Sequence, residues 1–153
     1  MEIDWHCFLE NCLHDYPKQY VGFLYSENPY SKNEKWHILD IKNNHPNPEI
    51  DFLPDSKELS DLKFRTKKLR WYKIGLIHSH PSKDIPPTNK ILIEQLLQPT
   101  KSDIDNAIRY NDLFDGIVVC TKKEILGMRF FRPFTNEEFD IQKYNQTEKN
   151  HNG

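Results

Sequence analysis

The sequence is best approached from the stretch IGLIHSHP, residues Ile74 to Pro81. An apolar run of this kind predicts a buried strand, which the proline ends. Because side chains alternate along a strand, His78 and His80 point to the same face. Two imidazoles on one face, at the end of a buried strand, are what a zinc ion needs from its protein. The stretch therefore predicts a central strand that carries two metal ligands.

A third ligand is expected further along the chain, where the sequence reads SDID from Ser102 to Asp105. If a helix begins near Ser102, the spacing of three places its hydroxyl and the Asp105 carboxylate on one side of the first turn. Asp103 and Asp84 are also close in sequence, but the helical spacing favours Asp105. A serine and an acid in a first helical turn are also common as simple helix caps. Their occurrence together with the two histidines favours the metal site.

Together these residues resemble the JAMM/MPN metalloprotease family, whose motif is His-x-His-Pro, a spacer, and then Ser-x-x-Asp. The resemblance covers roughly residues 16–131. It implies a cytidine-deaminase-like fold and a Zn²⁺ cofactor held by His78, His80 and Asp105. It also implies that Ser102 is catalytic, as a hydrogen-bond donor to the oxyanion that develops on the substrate carbonyl.

The spacer departs from the family pattern, because Asp105 follows His80 by 25 positions, more than in compact members. We interpret residues 82–99 as an insertion that contains a short apolar helix. This helix either packs onto the body of the domain or grips a substrate protein, and the sequence favours neither. The candidate substrate contacts are Ile91, Leu92 and Leu96.

The position of the general base is the second departure. The resemblance implies a glutamate in a Pro-x-Glu-x-x-Gly setting before the first strand, and this chain has Gln19 there, between Pro17 and Gly22. An amide cannot shuttle a proton, and loss of a general base typically slows a reaction by about 10² to 10⁴. Glu27 is a nearby acid, but it does not stand at the position of the glutamate in this motif. Gln19 is either an engineered substitution that disables the enzyme or the mark of a natural pseudoenzyme, and the intact ligand set favours the first explanation.

The hydrophobic pattern predicts an α/β fold, a single domain with a mixed sheet flanked by helices. We expect the domain to span residues 1–134 and a polar, partly disordered tail to span 135–153. The predicted helices cover 4–15, 55–70, a short segment from 91, and 102–113. The predicted strands cover 20–25, 36–41, 74–80, 116–120 and 127–131, with a further short strand over 49–53.

Composition excludes several classes of function. The formal net charge of −2 gives no basic surplus for a nucleic-acid partner. Three scattered cysteines argue against a disulfide framework and fit a reducing cytoplasm. We see no apolar run of membrane-spanning length and no secretory signal. We therefore expect a cytoplasmic protein without membrane or nucleic-acid partners.

The resemblance implies an isopeptidase that removes ubiquitin or a ubiquitin-like protein from its conjugated target or precursor. The small domain is most similar to bacterial deconjugating peptidases, some of which serve antiphage conjugation systems. A catalytically silent scaffold that recognises a ubiquitin-like tail is the alternative from the binding class. A zinc peptidase or amidase acting on small molecules is the third. A free sheet edge near His78 would favour the two readings with a protein substrate.

Overall fold

A strand runs from Tyr72 to Pro81, as the apolar stretch predicts, and it lies at the centre of a five-stranded sheet. The structure is a computed structural model that describes residues 5–27, 35–110 and 112–141. Its elements, in chain order, are α1 (Trp5–His14), β1 (Val21–Ser26), β2 (Trp36–Ile41), α2 (Ser56–Leu69), β3 (Tyr72–Pro81), α3 (Lys90–Leu96), α4 (Lys101–Tyr110), β4 (Phe114–Cys120) and β5 (Ile125–Phe131).

The strand order in the sheet is β2-β1-β3-β4-β5. The β3–β4 pair is parallel, and the other three pairs are antiparallel. A parallel pair needs a crossover connection, and here α3 and α4 lie within it. The prediction of an α/β domain with a mixed sheet is confirmed.

Helices cover both faces of the sheet, and the period of two decides which residues each face buries. One face packs against α1, where Phe8 and Cys12 meet Leu24, Ile77 and Val118. The opposite face carries His78 and His80. It buries Val21, Phe23 and Leu76 under Leu62 of α2, and Ile117 and Val119 under the leucines at the end of α3. The candidate site therefore lies on the face that α2, α3 and their loops cover.

Several predicted boundaries are wrong. Residues 49–53 form a loop and not the predicted short strand, because the Asn43 side chain binds their backbone: it donates to the Asp51 carbonyl and accepts from the Leu53 N–H. An isolated bridge between Asn43 and Pro54 closes the loop. The last helix before β4 begins at Lys101 and ends at Tyr110, not at 102 and 113. The 55–70 helix is capped by Asp55, whose side chain accepts a hydrogen bond from the Glu58 N–H.

The domain extends past the expected boundary at residue 134. Phe139 is buried and stacks on Phe114, with 4.5 Å between ring centroids, and Ile141 is buried in the same cluster. These apolar side chains complete the core beneath β4, so residues 135–141 belong to the domain. Residues 142–153, the rest of the expected tail, lie outside the described part of the chain.

The inserted segment has a buried side and an exposed side. Ile93 and Leu97 lie over Gly127 of β5, where a Cβ atom would be 3.4 Å from Leu97 and 3.5 Å from Ile93. Leu96 packs against Ile117 and Val119. Ile91 and Leu92, by contrast, keep 75% and 36% of their surface exposed. Packing onto the body thus accounts for three of these five apolar side chains and leaves two in solvent.

Among the helices of the described residues, none combines the length and the apolar character that a membrane crossing requires.

Candidate metal centre

Three side chains bring their ligand atoms together at the carboxyl end of β3. The Nε2 atoms of His78 and His80 lie 3.0 Å apart. The Asp103 carboxylate bridges the two rings: Oδ1 lies 3.2 Å from His78 Nε2, and Oδ2 lies 3.0 Å from His80 Nε2. Within the described residues this is the one group of three or more such side chains that could hold a metal ion.

The spacing of these atoms fits a tetrahedral metal site. Zinc bonds nitrogen and carboxylate oxygen at about 2.0–2.2 Å, so neighbouring ligands of a tetrahedral ion are about 3.3 Å apart. The three separations of 3.0, 3.2 and 3.0 Å lie just below that value. Two imidazoles and one carboxylate are also the donor types that zinc accepts while a fourth position stays open. The residues present therefore fit the cofactor that the sequence predicts.

Asp103, not Asp105, is the acid that meets the histidines. Since α4 begins at Lys101, Asp103 lies in its first turn, while Asp105 points roughly 200° further around the axis and is exposed. Thr100 fixes the geometry, because its N–H donates to Asp103 Oδ2 (2.9 Å) and its Oγ1 accepts from the Asp103 N–H (3.1 Å). The structure thus brings Asp103 to the two histidines and does not bring Asp105, the acid expected from the sequence, which lies two residues further along α4.

The inserted helix holds His80 in place. Its Nδ1 atom lies 2.8 Å from the backbone carbonyl oxygen of Leu96, in the last turn of α3. A carbonyl only accepts, so Nδ1 carries a proton, and Nε2 is the ring nitrogen that faces Asp103 and would bind a metal ion. This arrangement, in which the second ring nitrogen of a ligand donates to a carbonyl, is the usual one around protein metals. Leu96 thus acts through its backbone, and its side chain, a candidate substrate contact, is half-buried against Ile117 and Val119.

Burial and mutual charge set the ionisation of the three groups. Complete burial lowers the pKa of His78, against the opposing charge of Asp103. At His80 burial also acts to lower the pKa, but the hydrogen bond and charge of Asp103 and the Leu96 carbonyl outweigh it and raise the pKa. Burial acts to raise the pKa of Asp103, yet the two histidines hold it well below its usual range. The centre therefore contains a carboxylate and a neutral imidazole, the forms that bind a cation.

The wall of the site behind His78 is apolar. The Phe52 ring lies 4.6 Å from the His78 ring, centroid to centroid, and both side chains are fully buried. His78 Nδ1 is buried without a hydrogen-bond partner among the described residues. Because Phe52 belongs to the loop after β2, this loop forms one side of the site.

Ser102 was predicted to lie at the site, but in the structure it does not face the histidines. Its hydroxyl donates to Asp51 Oδ2 at 2.7 Å, because residue 102 lies on the side of α4 that meets the loop after β2. Asp51 Oδ1 accepts from the Phe52 N–H (2.8 Å), and His45 Nε2 lies 3.7 Å from Oδ2. His45 is half-buried beside this carboxylate.

Gln19 lies next to the site by strand register. Val21 pairs with His78, and the Ser79 N–H donates to the Tyr20 carbonyl (2.9 Å), so the antiparallel count places Gln19 opposite His80. The two-residue period puts its side chain on the face of the histidines. Gln19 is 5% exposed, and its Oε1 atom has no hydrogen-bond partner in the described structure. A buried, unpartnered amide oxygen is available to a water or a substrate group.

The edges of the sheet are β2 and β5, and β3 lies between β1 and β4. In the described part of the chain there is thus no free strand edge beside His78. A substrate tail that reaches this site cannot do so by adding a strand to β3.

The sequence offered a signal for Thr100 and Asp103. Thr100 precedes Asp103 by three positions, as Ser102 precedes Asp105, and Pro99 lies directly before Thr100. This pattern indicates a helix start no less clearly than the one at Ser102. No local pattern pointed to Asp51 or His45, because their position depends on how the loop after β2 folds back over β3.

Comparison with known proteins supports the fold alone. No protein-family model matches the chain, and a search of curated proteins gives no match. The solution structure of protein DSY2949 from Desulfitobacterium hafniense is similar, with a TM-score of 0.51 and 17% sequence identity over 82% of this chain and 76% of that one. At this identity the likeness shows that the two chains share the arrangement of their elements.

Proposed function

We propose that this protein is a zinc-dependent hydrolase whose metal is held by His78, His80 and Asp103. The observation that carries the proposal is the convergence of their three ligand atoms at 3.0 to 3.2 Å. Complete burial of His78 and the bond from His80 to Leu96 add the rigidity that a metal site requires. Such an ion, when bound, polarises a carbonyl and makes water a nucleophile near neutral pH.

The substrate class in this proposal is an amide bond between a target and ubiquitin or a ubiquitin-like protein. The support is the His-x-His-Pro stretch, followed by a hydroxyl residue three positions before the ligand acid, now Thr100 and Asp103. This pattern resembles the JAMM/MPN family, and the finer fold assignment, cytidine-deaminase-like, belongs to the same proposal. We also propose a cytoplasmic location.

Thr100 takes the role that was expected for Ser102. Its Oγ1 accepts from the Asp103 N–H and can still donate its own proton, and the residue is exposed at the start of α4. The hydroxyl would donate to the substrate carbonyl oxygen as negative charge builds there. Gln19, buried opposite His80, would hold a water through its amide without accepting its proton. The chain with Gln19 is therefore a strongly slowed form, whether engineered or natural.

A second candidate is a scaffold that binds a ubiquitin-like tail without cleaving it. The observation in its favour is Gln19 itself, because the position next to His80 carries no acid. Exposed Ile91 and Leu92 on α3 would serve either function as an apolar contact.

The test is an assay of zinc-loaded protein, with Gln19 and with Gln19→Glu, on isopeptide-linked ubiquitin and ubiquitin-like conjugates and on short peptide amides. The proposal expects cleavage of conjugates by Gln19→Glu that a chelator stops and that Asp103→Asn lacks. Binding without cleavage by both forms would support the scaffold. Cleavage restricted to short amides would assign a small-molecule peptidase or amidase instead.

A further inference from the structure

The carboxylate of Asp51 lies at the rim of the candidate metal centre and is not one of its ligands. Its Oδ2 accepts the Ser102 hydroxyl at 2.7 Å, one residue before the ligand Asp103. The next residue, Phe52, packs on the His78 ring at 4.6 Å, and the charge of Asp51 acts on His78. Asp51 is therefore held by α4 through Ser102, and its neighbour Phe52 packs on β3.

One side chain ties this loop to the segment of Gln19. Asn43 Nδ2 donates to the Gln19 carbonyl at 3.0 Å and to the Asp51 carbonyl at 3.1 Å. The Gln19 N–H in turn donates to the Pro48 carbonyl at 2.7 Å. The backbones of residues 19 and 51 thus contact the same nitrogen atom, and residue 51 lies beside the position where a general base is expected.

We propose that Asp51 handles the proton in the Gln19 chain, where it supports a residual reaction that is slower than the reaction with a glutamate at position 19. The inference rests on the proposed function and adds a residue to it. In the reaction, a water oxygen forms a bond to the carbonyl carbon and gives one proton to the Asp51 carboxylate. The C–N bond then breaks, and the acid returns that proton to the leaving amine nitrogen, so that water and amide become acid and amine with no other reactant.

Ser102 is a positioning residue in this scheme. Its hydroxyl occupies one lone pair of Asp51 Oδ2, while the Phe52 N–H holds Oδ1. These two bonds fix the plane of the carboxylate, and a carboxylate oxygen keeps a second lone pair for a proton. Among the described residues, two titratable groups lie near Asp51: His45 of its own loop, 3.7 Å from Oδ2, and His78 of β3, whose pKa the Asp51 charge acts to raise.

The test uses the chain loaded with cobalt(II), whose visible absorption responds to ionisation beside the metal. The wild type, Asp51→Asn, Gln19→Glu and Asp105→Asn are titrated with acid and base. Removing the Asp51 charge should lower the midpoint of the spectral change by at least about half a pH unit, because a nearby negative charge opposes loss of a proton. Gln19→Glu should raise it. Asp105→Asn removes the same charge from an exposed position of α4 and should leave the midpoint unchanged.

The activity arm uses the same variants on a ubiquitin-like conjugate. Asp51→Asn should slow the Gln19 protein by about 10² or more, and Gln19→Glu should rescue it, since a second carboxylate then carries the proton. If Asp51 had only a structural role, Asp51→Asn would slow hydrolysis equally in the Gln19 protein and in the Gln19→Glu protein. It would also lower the melting temperature.

Three outcomes would overturn the inference. In the first, Asp51→Asn leaves the cobalt midpoint where it is, so the carboxylate does not reach the site. In the second, Asp51→Asn loses the metal, which makes the residue part of the metal support. In the third, the wild type binds no cobalt, which refutes the proposed function as well as the role of Asp51. The first two outcomes refute the role of Asp51 alone, so the two failures can be told apart.

Discussion

The Nδ1 atom of His80 lies 2.8 Å from the backbone carbonyl oxygen of Leu96, and this bond joins the inserted segment to the candidate metal centre. The carbonyl belongs to the last turn of α3, whose position depends on Ile93 and Leu97 over Gly127. The insertion therefore does more than lengthen the connection between β3 and α4. It selects which nitrogen of His80 faces Asp103.

This dependence predicts that loosening α3 weakens metal binding. Ile93→Ala removes a buried side chain that packs on Gly127, so it should lower the free energy of unfolding by roughly 2 kcal/mol. Because the Leu96 carbonyl then shifts, zinc affinity should fall by about tenfold. Ile91→Ala, two residues earlier and exposed, is the matched control and should change neither quantity. Equal zinc affinity in both variants, measured by competition with a chelating dye, would separate the insertion from the site.

The exposed side of α3 predicts a contact with substrate. Replacing Ile91 and Leu92 by serine should weaken binding of a ubiquitin-like conjugate several-fold, because these side chains are 75% and 36% exposed. Thermal denaturation should give nearly the same midpoint as for the wild type. A large loss of stability would mean that both residues belong to the core after all.

Gln19→Glu should raise the hydrolysis rate of zinc-loaded protein by about 10² or more. The two side chains are nearly isosteric, so the gain would report proton transfer and not a change of shape. Glu27→Gln is the control, since Glu27 lies beyond the other end of β1, 3.2 Å from His37. An inert Gln19→Glu protein that binds several conjugates well would favour the scaffold function.

A buried acid pair outside the site predicts a pH dependence of stability. Burial, together with the charge of Asp112, raises the pKa of Asp115 to about 9. Lys73 Nζ lies 3.1 Å from Asp112 Oδ1. The folded chain therefore retains a proton on Asp115 that the unfolded chain loses above about pH 4. Since the folded pKa is the higher one, stability should fall as the pH rises from about 4 to about 9.

Urea unfolding of Asp115→Asn at about pH 5 and about pH 8.5 tests this account. The amide cannot ionise, so the difference in unfolding free energy between the two conditions should shrink by on the order of 1 kcal/mol or more. Asp61→Asn, which removes an exposed carboxylate of α2, should retain the wild-type slope. An unchanged slope in Asp115→Asn would show that Asp115 ionises normally.

The elements that could be predicted from sequence are those with a strong local pattern. The apolar run before His78 predicts β3, because the alternation of apolar side chains is a property of a few neighbouring residues. The boundary at residue 134 failed because Phe139 lies in a polar stretch and is buried only by contact with distant Phe114. Long-range packing of this kind leaves no local periodicity.

The candidate site divides along the same line. His78 and His80 share one strand, so alternation alone placed them together. The third ligand depended on which residue starts α4, and two registers with the same spacing were available, Thr100 with Asp103 and Ser102 with Asp105. Only the docking of α4 against β3 distinguishes them.

The central claim, a zinc ion held by His78, His80 and Asp103, is tested most directly by the zinc content of protein purified without chelator. Elemental analysis should find about one zinc per chain in the wild type and in Asp105→Asn. It should find almost none in Asp103→Asn or in the double variant His78→Ala with His80→Ala. A metal-free wild type, or loss of zinc in Asp105→Asn with retention in Asp103→Asn, would contradict the account.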